Sequence, residues 1–110
     1  MVRRRWLFVA LAAAVASACL SPTLPLPPPT RPDEIGTPDE SGQVRLRGTV
    51  LPHAEVFARN QRTGQIAGEL TGSTGRYDFF VGGQIGDELV LWYVLDTDTS
   101  PSIIVSVPAR

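Results

Sequence analysis

The sequence predicts an all-β sandwich of about seven short strands, and three observations carry that prediction. Apolar and polar residues alternate with a period of two in several segments after residue 42, as expected for half-buried strands. Glycine-rich turns separate these segments at intervals of roughly ten residues, a spacing typical of sandwiches. No segment after residue 19 has helical periodicity, so the folded part is expected to contain no helix.

Each predicted strand follows from its own pattern. The strands are expected over residues 44–50, 54–59, 66–70, 76–81, 88–95 and 103–107. Gly64 supplies the positive φ that the turn after the second strand needs. On the longest strand, Leu89, Leu91 and Tyr93 share one face, and we expect them to pack inward against Tyr77 and other apolar residues of the same parity.

The first nineteen residues carry the pattern of an export signal. Three arginines at positions 3–5 precede a thirteen-residue uncharged run from Trp6 to Ala18. A membrane-spanning helix needs about 20 apolar residues, whereas the apolar region of a signal peptide needs only about 7–15. We therefore predict a signal peptide over residues 1–18.

The end of this segment, Ala16-Ser17-Ala18-Cys19, resembles the lipobox of bacterial lipoproteins. The resemblance implies cleavage between Ala18 and Cys19 and a lipid on Cys19, which would anchor the protein in a membrane. Leu20 stands where an Asp would imply retention in the inner membrane, so the resemblance favours the outer membrane. Ordinary signal peptidase would cut the same Ala-x-Ala site, and plain secretion remains the alternative.

Residues 19–42 are expected to form the lipidated cysteine and a proline-rich linker. Seven of the ten prolines lie in this range. Proline fixes φ and lacks an N–H donor, which favours an extended spacer. The predicted organisation is thus a signal peptide over 1–18, a tether over 19–42 and a β-sandwich over 43–110.

The predicted strands carry a resemblance to a known family. Its motifs are Gly48-Thr49-Val50, Ala54-Glu55-Val56-Phe57-Ala58, Thr63-Gly64, Gly75-Arg76-Tyr77-Asp78-Phe79 and Gly86-Asp87-Glu88-Leu89-Val90-Leu91. In this order they resemble the carboxypeptidase regulatory-like domains. The resemblance covers about residues 44–107 and implies an Ig-like, transthyretin-like Greek-key sandwich that acts as an accessory module. His53 departs from the pattern because the family usually has glycine there.

Composition and residue types argue against several classes of function. All ten basic residues are arginines, and they are outnumbered by eleven acidic residues, so no basic face for nucleic acid is expected. His53 is the only histidine, and no nucleophile–base pair can be placed around it. We predict no enzyme activity, no cofactor and no metal site; Asp96 and Asp98, with Asp87 and Glu88 nearby, form only a weak pattern for calcium.

The longest strand is apolar on both faces, and this points to an interaction surface. If Leu89, Leu91 and Tyr93 face inward, then Val90, Trp92 and Val94 face outward. The same outward parity defines a candidate patch of six residues: Phe57, Phe80, Val90, Trp92, Val94 and Ile104. Exposed apolar patches mark binding surfaces more often than chance, although a covering segment, inverted parity or scattered placement would also explain the pattern.

These observations predict a lipid-anchored, non-enzymatic module of the cell envelope that binds a protein partner or has a structural role. The alternative is a carbohydrate-binding module in which Trp92 stacks on sugar rings together with Tyr93 or Phe80. Such a platform needs side-chain amides beside it. The available amides are Asn60, Gln61, Gln65 and Gln84.

Overall fold

The computed structural model describes residues 25–109, which form two antiparallel β-sheets of eight short strands. This confirms the predicted all-β sandwich. The predicted signal peptide, Cys19 and the start of the predicted linker lie outside the described residues. Within residues 25–109 there is no helix, and hence none that could span a bilayer.

The strands follow the predicted segments closely. They are β1 (Glu34–Ile35), β2 (Gln43–Thr49), β3 (Glu55–Asn60), β4 (Ile66–Leu70), β5 (Arg76–Gly82), β6 (Glu88–Leu95), β7 (Asp98–Thr99) and β8 (Ile103–Ser106). The six longer strands agree with the predicted ranges to within one residue at each end. β1 and β7 were not expected from the alternation because two residues are too few to show a period.

Strand pairing divides the molecule into a three-stranded and a five-stranded sheet. The first has the order β1-β2-β5. The second has the order β4-β3-β6, with β7 and β8 both pairing with the other edge of β6. All pairs are antiparallel, so each strand can bury one face and expose the other.

The core lies between the inner faces of the two sheets. Its fully buried residues follow the predicted parity: Val44 and Leu46 on β2, Tyr77, Phe79 and Val81 on β5, Leu89, Leu91 and Tyr93 on β6, and Val105 on β8. From β3 the core receives Val56 and Ala58. Leu95, which shares this face of β6, is only partly buried at the strand end.

Part of the predicted proline-rich linker belongs to the fold. Leu26 packs against the core, and Pro29 and Pro32 are buried. The Tyr93 Oη donates a 2.5 Å hydrogen bond to the Pro27 carbonyl, and β1 pairs with β2 through Glu34 and its neighbour. Proline has no N–H to leave unsatisfied beside a sheet edge, so its ring can be buried there without an unpaired donor.

Two turns contain a residue with left-handed backbone, and one of them was predicted from the sequence. Gly64 has a φ of 76° and donates its N–H to the Asn60 carbonyl at 2.7 Å, which closes the β3–β4 turn as predicted. His53 has a φ of 61°, although it is not glycine. His53 therefore has the left-handed backbone that glycine adopts most easily.

Candidate interaction surface

The structure brings together five of the six residues of the predicted patch. Val90, Trp92 and Val94 lie on the outer face of β6, in the middle of the five-stranded sheet. Phe57 on β3 is the cross-strand partner of Trp92, and Ile104 on β8 is the partner of Val90. Paired residues of neighbouring strands point to the same face, so these five side chains share one surface.

Phe80 does not belong to this surface. It lies on β5, in the three-stranded sheet, opposite Arg45 of β2. Its side chain is 50% exposed on the outer face of that sheet, on the far side of the sandwich. Parity along a strand distinguishes inward from outward residues, but it does not tell which sheet the strand joins, and for this reason the sequence pattern grouped Phe80 with the others.

The centre of the surface is a row of three residues across the sheet. The rings of Phe57 and Trp92 stack with their centroids 5.5 Å apart and their planes at 23°. On the other side, Phe57 faces Gly68 of β4. A Cβ atom placed on Gly68 would lie only 2.8 Å from the Phe57 Cδ1, so the phenylalanine ring covers the glycine.

Two further apolar residues extend the surface over β4. Ile66 is 58% exposed and Leu70 is 67% exposed, and both lie on the same face as Phe57. We call the complete set the outer apolar face: Phe57, Ile66, Leu70, Val90, Trp92, Val94 and Ile104. Ile66, Leu70 and Ile104 are its exposed members, whereas Phe57, Trp92 and Val94 are half-buried and Val90 is buried. The prediction missed Ile66 and Leu70, although the short turn ending at Gln65 fixes the β3–β4 register and would have placed them here.

Two opposite charges lie within this surface. Glu55 and Arg59 flank Phe57 on β3, two residues to either side, and both are exposed. Neither forms a salt bridge with any residue in the range 25–109. Beside Arg59, a shallow depression of about 390 Å³ lies between Trp92 and the segment 99–102.

The outer face of the three-stranded sheet contains the exposed ring of Phe80 but is otherwise mostly charged. Arg45 forms a short ion pair of 2.6 Å with Asp78, and Arg47 lies 3.0 Å from Glu34 and 3.8 Å from Asp78. The hydrogen bond from Arg45 lowers the pKa of Asp78. A cavity of about 530 Å³ on this side is lined mostly by charged residues, including Arg76, and several of its charges already neutralise one another.

A buried polar network connects the two sheets at one end. Asp87, 8% exposed, accepts hydrogen bonds from Arg62 Nε at 2.8 Å, Asn60 Nδ2 at 2.9 Å and the Gln84 N–H at 2.8 Å. Asn60 Nδ2 also donates to the Gly82 carbonyl of β5 at 3.0 Å. The hydrogen bonds from Arg62, Asn60 and Gln84 hold the pKa of Asp87 well below its usual range.

The structure does not bring together the acidic residues of the weak calcium pattern. Asp87 precedes β6, whereas Asp96 and Asp98 follow it, so the structure separates these acids by the length of an eight-residue strand. Asp96 has a φ of 56° in the tight turn between β6 and β7. Among residues 25–109 no three His, Cys, Asp or Glu side chains are close enough to hold a metal ion.

Comparison with known proteins does not identify a relative of this chain. Neither protein-family models, nor curated proteins, nor solved structures give a significant match to the chain.

Proposed function

We propose that this protein is a non-enzymatic, lipid-anchored module of the bacterial envelope that binds a protein partner through its outer apolar face. The observation that carries the proposal is the Phe57–Trp92 stack, surrounded by the exposed side chains of Ile66, Leu70 and Ile104.

The outer apolar face is more than the fold requires. An antiparallel sheet in a sandwich needs one buried face, and its other face is normally polar because it meets water. Here the inner face of β6 already contributes Leu89, Leu91 and Tyr93 to the core. The outward rings at Phe57 and Trp92 are the residue types that act as anchors in protein interfaces. The surface therefore fits a partner that removes it from water.

The anchoring part of the proposal rests on the sequence around Cys19, outside the described residues. Because Leu26 packs against the core, the distance between Cys19 and the sandwich has an upper limit. The chain spans at most about 3.6 Å per residue, so the seven residues from Cys19 to Leu26 reach no more than about 25 Å. A lipid on Cys19 would hold the sandwich close to the membrane, where a partner in the same envelope layer is accessible.

The carbohydrate-binding alternative has less support. Tyr93 is 2% exposed and donates to Pro27, and Phe80 lies on the other sheet, so neither can form a platform with Trp92. Asn60 is buried in the network around Asp87. None of the side-chain amides that such a platform needs is among the residues that line the depression beside Trp92, where the polar side chains are Arg59, Thr99, Ser100 and Ser102.

Binding is tested by site-specific photo-crosslinking in cells that produce the full chain. A photoreactive amino acid at Leu70 samples the outer apolar face, and the same residue at Phe80 samples the opposite outer face as a matched control. We expect protein adducts from position 70, their loss in Trp92→Ala, and none from position 80. Equal adducts from both positions, or none from position 70, would contradict the proposal.

Anchoring is tested separately by metabolic labelling with a fatty-acid analogue. We expect label on the native chain and none on the Cys19→Ser variant. Label on both proteins, or on neither, would contradict the proposed lipid anchor. The interaction surface would still be tested by crosslinking.

A further inference from the structure

We propose that the protein partner of the outer apolar face is a second copy of this chain, packed face to face about a two-fold axis along the Gly68–Phe57–Trp92 row. This inference rests on the proposed binding function and specifies its partner. It follows from the way apolar and charged residues are distributed on either side of that row.

Strand register arranges the outer apolar face in three parallel rows. The central row is Gly68, Phe57 and Trp92. On one side lies the row Ile66, Arg59, Val90 and Ile104. On the other side lies the row Leu70, Glu55, Val94 and Thr99. The two flanking rows therefore have the same order of residue types. Each has an apolar residue on β4, a charged residue on β3 and an apolar residue on β6.

A two-fold axis along the central row exchanges the flanking rows. The rotation reverses strand direction but keeps each strand opposite its own copy, so Ile66 faces Leu70 and Val90 faces Val94 of the second molecule. Phe57 and Trp92 meet their own copies on the axis. Such a self-complementary patch is the defining property of an isologous interface.

The charges select this axis over the alternative that runs parallel to the strands. With the axis along the row, each Glu55 lies opposite Arg59 of the other copy, which gives two ion pairs of opposite sign. With an axis parallel to β3, Glu55 would face Glu55 and Arg59 would face Arg59, and such like-charge contacts disfavour an interface.

The two charges cannot satisfy each other within one molecule. Glu55 and Arg59 are four residues apart on one strand, a separation of about 13 Å between their backbones. Neither has an ion-pair partner elsewhere in residues 25–109. A second copy supplies both missing partners while its apolar side chains cover the rest of the face.

The expected interface is small. Four strands spaced about 4.8 Å apart, each contributing about five residues of about 3.4 Å, present roughly 330 Å² per copy. The total of about 650 Å² is smaller than stable specific interfaces bury, so the contact between two copies is a weak one. Sheets packed in this way lie about 10 Å apart with their strands within about 30° of each other. Tethering to one membrane would raise the effective concentration of the two copies and favour so small an interface.

The test uses two differently tagged full-length copies produced in the same cells, with the photoreactive residue at Leu70. Because Leu70 faces Ile66 of the other copy, we expect an adduct of twice the chain mass that carries both tags. The residue at Phe80 serves as the control and should give no such adduct.

Charge reversal tests the register directly. Arg59→Glu alone, or Glu55→Arg alone, places like charges together and should lower the yield of the doubly tagged adduct at least tenfold. The double variant Glu55→Arg/Arg59→Glu restores opposite charges and should recover the yield to within about threefold. Both positions are exposed, and circular dichroism checks that each variant keeps its sheets.

The possible failures are distinct. Adducts only with a different protein would overturn the second copy as partner and leave the proposed binding function standing. A double variant that stays as low as the single variants would overturn the two-fold packing. Absence of any adduct from position 70 would overturn both the inference and the binding function.

Discussion

The two outer faces of this sandwich differ although their inner faces are built alike. On the three-stranded sheet, arginine and acidic side chains alternate across strands and form ion pairs, such as Arg45 with Asp78. On the five-stranded sheet, aromatic and aliphatic side chains occupy the corresponding places, and Phe57 stacks on Trp92. Only the first is the surface that a sheet in water requires.

The difference shows which features serve folding and which serve another purpose. The charged face contributes to the fold, since Arg47 also pairs with Glu34 and so connects β1 to β2. The outer apolar face contains charges as well, but Glu55 and Arg59 have no salt-bridge partner in the part of the chain that the structure describes. We therefore expect substitutions on this face to affect binding more than stability.

The largest predicted contrast lies between two neighbouring residues of β6. Leu91 is fully buried on the inner face, and Leu91→Ala should lower the free energy of unfolding by about 3 kcal/mol because it leaves a cavity in the core. Trp92 is half-buried on the outer face, and Trp92→Ala should cost less, about 2 kcal/mol, through loss of the ring stack and of part of its buried area. Urea unfolding of the purified chain measures both.

The same pair of variants separates folding from binding. Trp92→Ala should abolish photo-crosslinking from position 70 while the chain stays folded. If Trp92→Ala destabilises the protein as much as Leu91→Ala does, the outer apolar face is a second core and the comparison between the two faces fails.

Much of this architecture could be predicted from the sequence because it depends on local periodicity. The bounds of β4 and β6 agree with the predicted 66–70 and 88–95, and the alternation correctly placed Leu89, Leu91 and Tyr93 inside. These features follow from the two-residue period of a strand, which needs no knowledge of what lies opposite.

The sequence could not predict features that depend on which strands become neighbours. Phe80 has the same parity as Trp92 but lies on the other sheet, because sheet membership is set by long-range pairing. The proline-rich pattern indicated a spacer, yet Leu26 packs on the core and Pro29 and Pro32 are buried. Whether a proline segment stays extended in water or docks depends on a tertiary surface that local sequence does not describe.

The two inward tyrosines give the next prediction. Burial, and to a lesser extent the Asp33 carboxylate, raises the pKa of Tyr77 to about 12, and its Oη has no hydrogen-bond partner within residues 25–109. The unfolded chain releases this proton near pH 10, so stability should fall as pH rises from about 10 to 12, by up to about 3 kcal/mol. Alkaline unfolding curves measure this loss, and Tyr77→Phe should remove most of it.

Tyr93 of the five-stranded sheet is the matched control because its hydroxyl donates to the Pro27 carbonyl. At neutral pH, Tyr93→Phe should lower stability by about 1 kcal/mol, whereas Tyr77→Phe should be neutral or stabilising. Equal losses from both variants would mean that the Tyr77 hydroxyl has a partner after all.

A smaller effect is expected at the end where the two sheets are tied together. The pKa of Asp87 is lowered by its hydrogen bonds from Arg62, Asn60 and Gln84. The folded state therefore favours the charged carboxylate, and this stabilisation is present above about pH 4 and lost as the pH falls below it. Asp87→Asn should lower the free energy of unfolding at pH 7. It should also flatten the acid limb, that is, the fall of the free energy of unfolding below about pH 4, measured by urea unfolding at several pH values.

The control for the acid limb is Asp98→Asn, since Asp98 lies exposed beyond the other end of β6. It should leave the acid limb unchanged. An acid limb that keeps its slope in Asp87→Asn would show that other carboxylates govern acid unfolding.

The smallest effect is predicted for the charged outer face. Asp78 pairs with Arg45 in an exposed position, and exposed ion pairs contribute little because water and salt screen them. Asp78→Asn should lower stability far less than Leu91→Ala does. That difference should shrink further in 1 M salt, as salt-dependent unfolding of both proteins would show.

The variant should also leave crosslinking from position 70 intact, because the charged face lies on the opposite side of the sandwich. A binding defect in Asp78→Asn would mean that the partner contacts both sheets, and the division into a solvent face and a binding face would have to be abandoned.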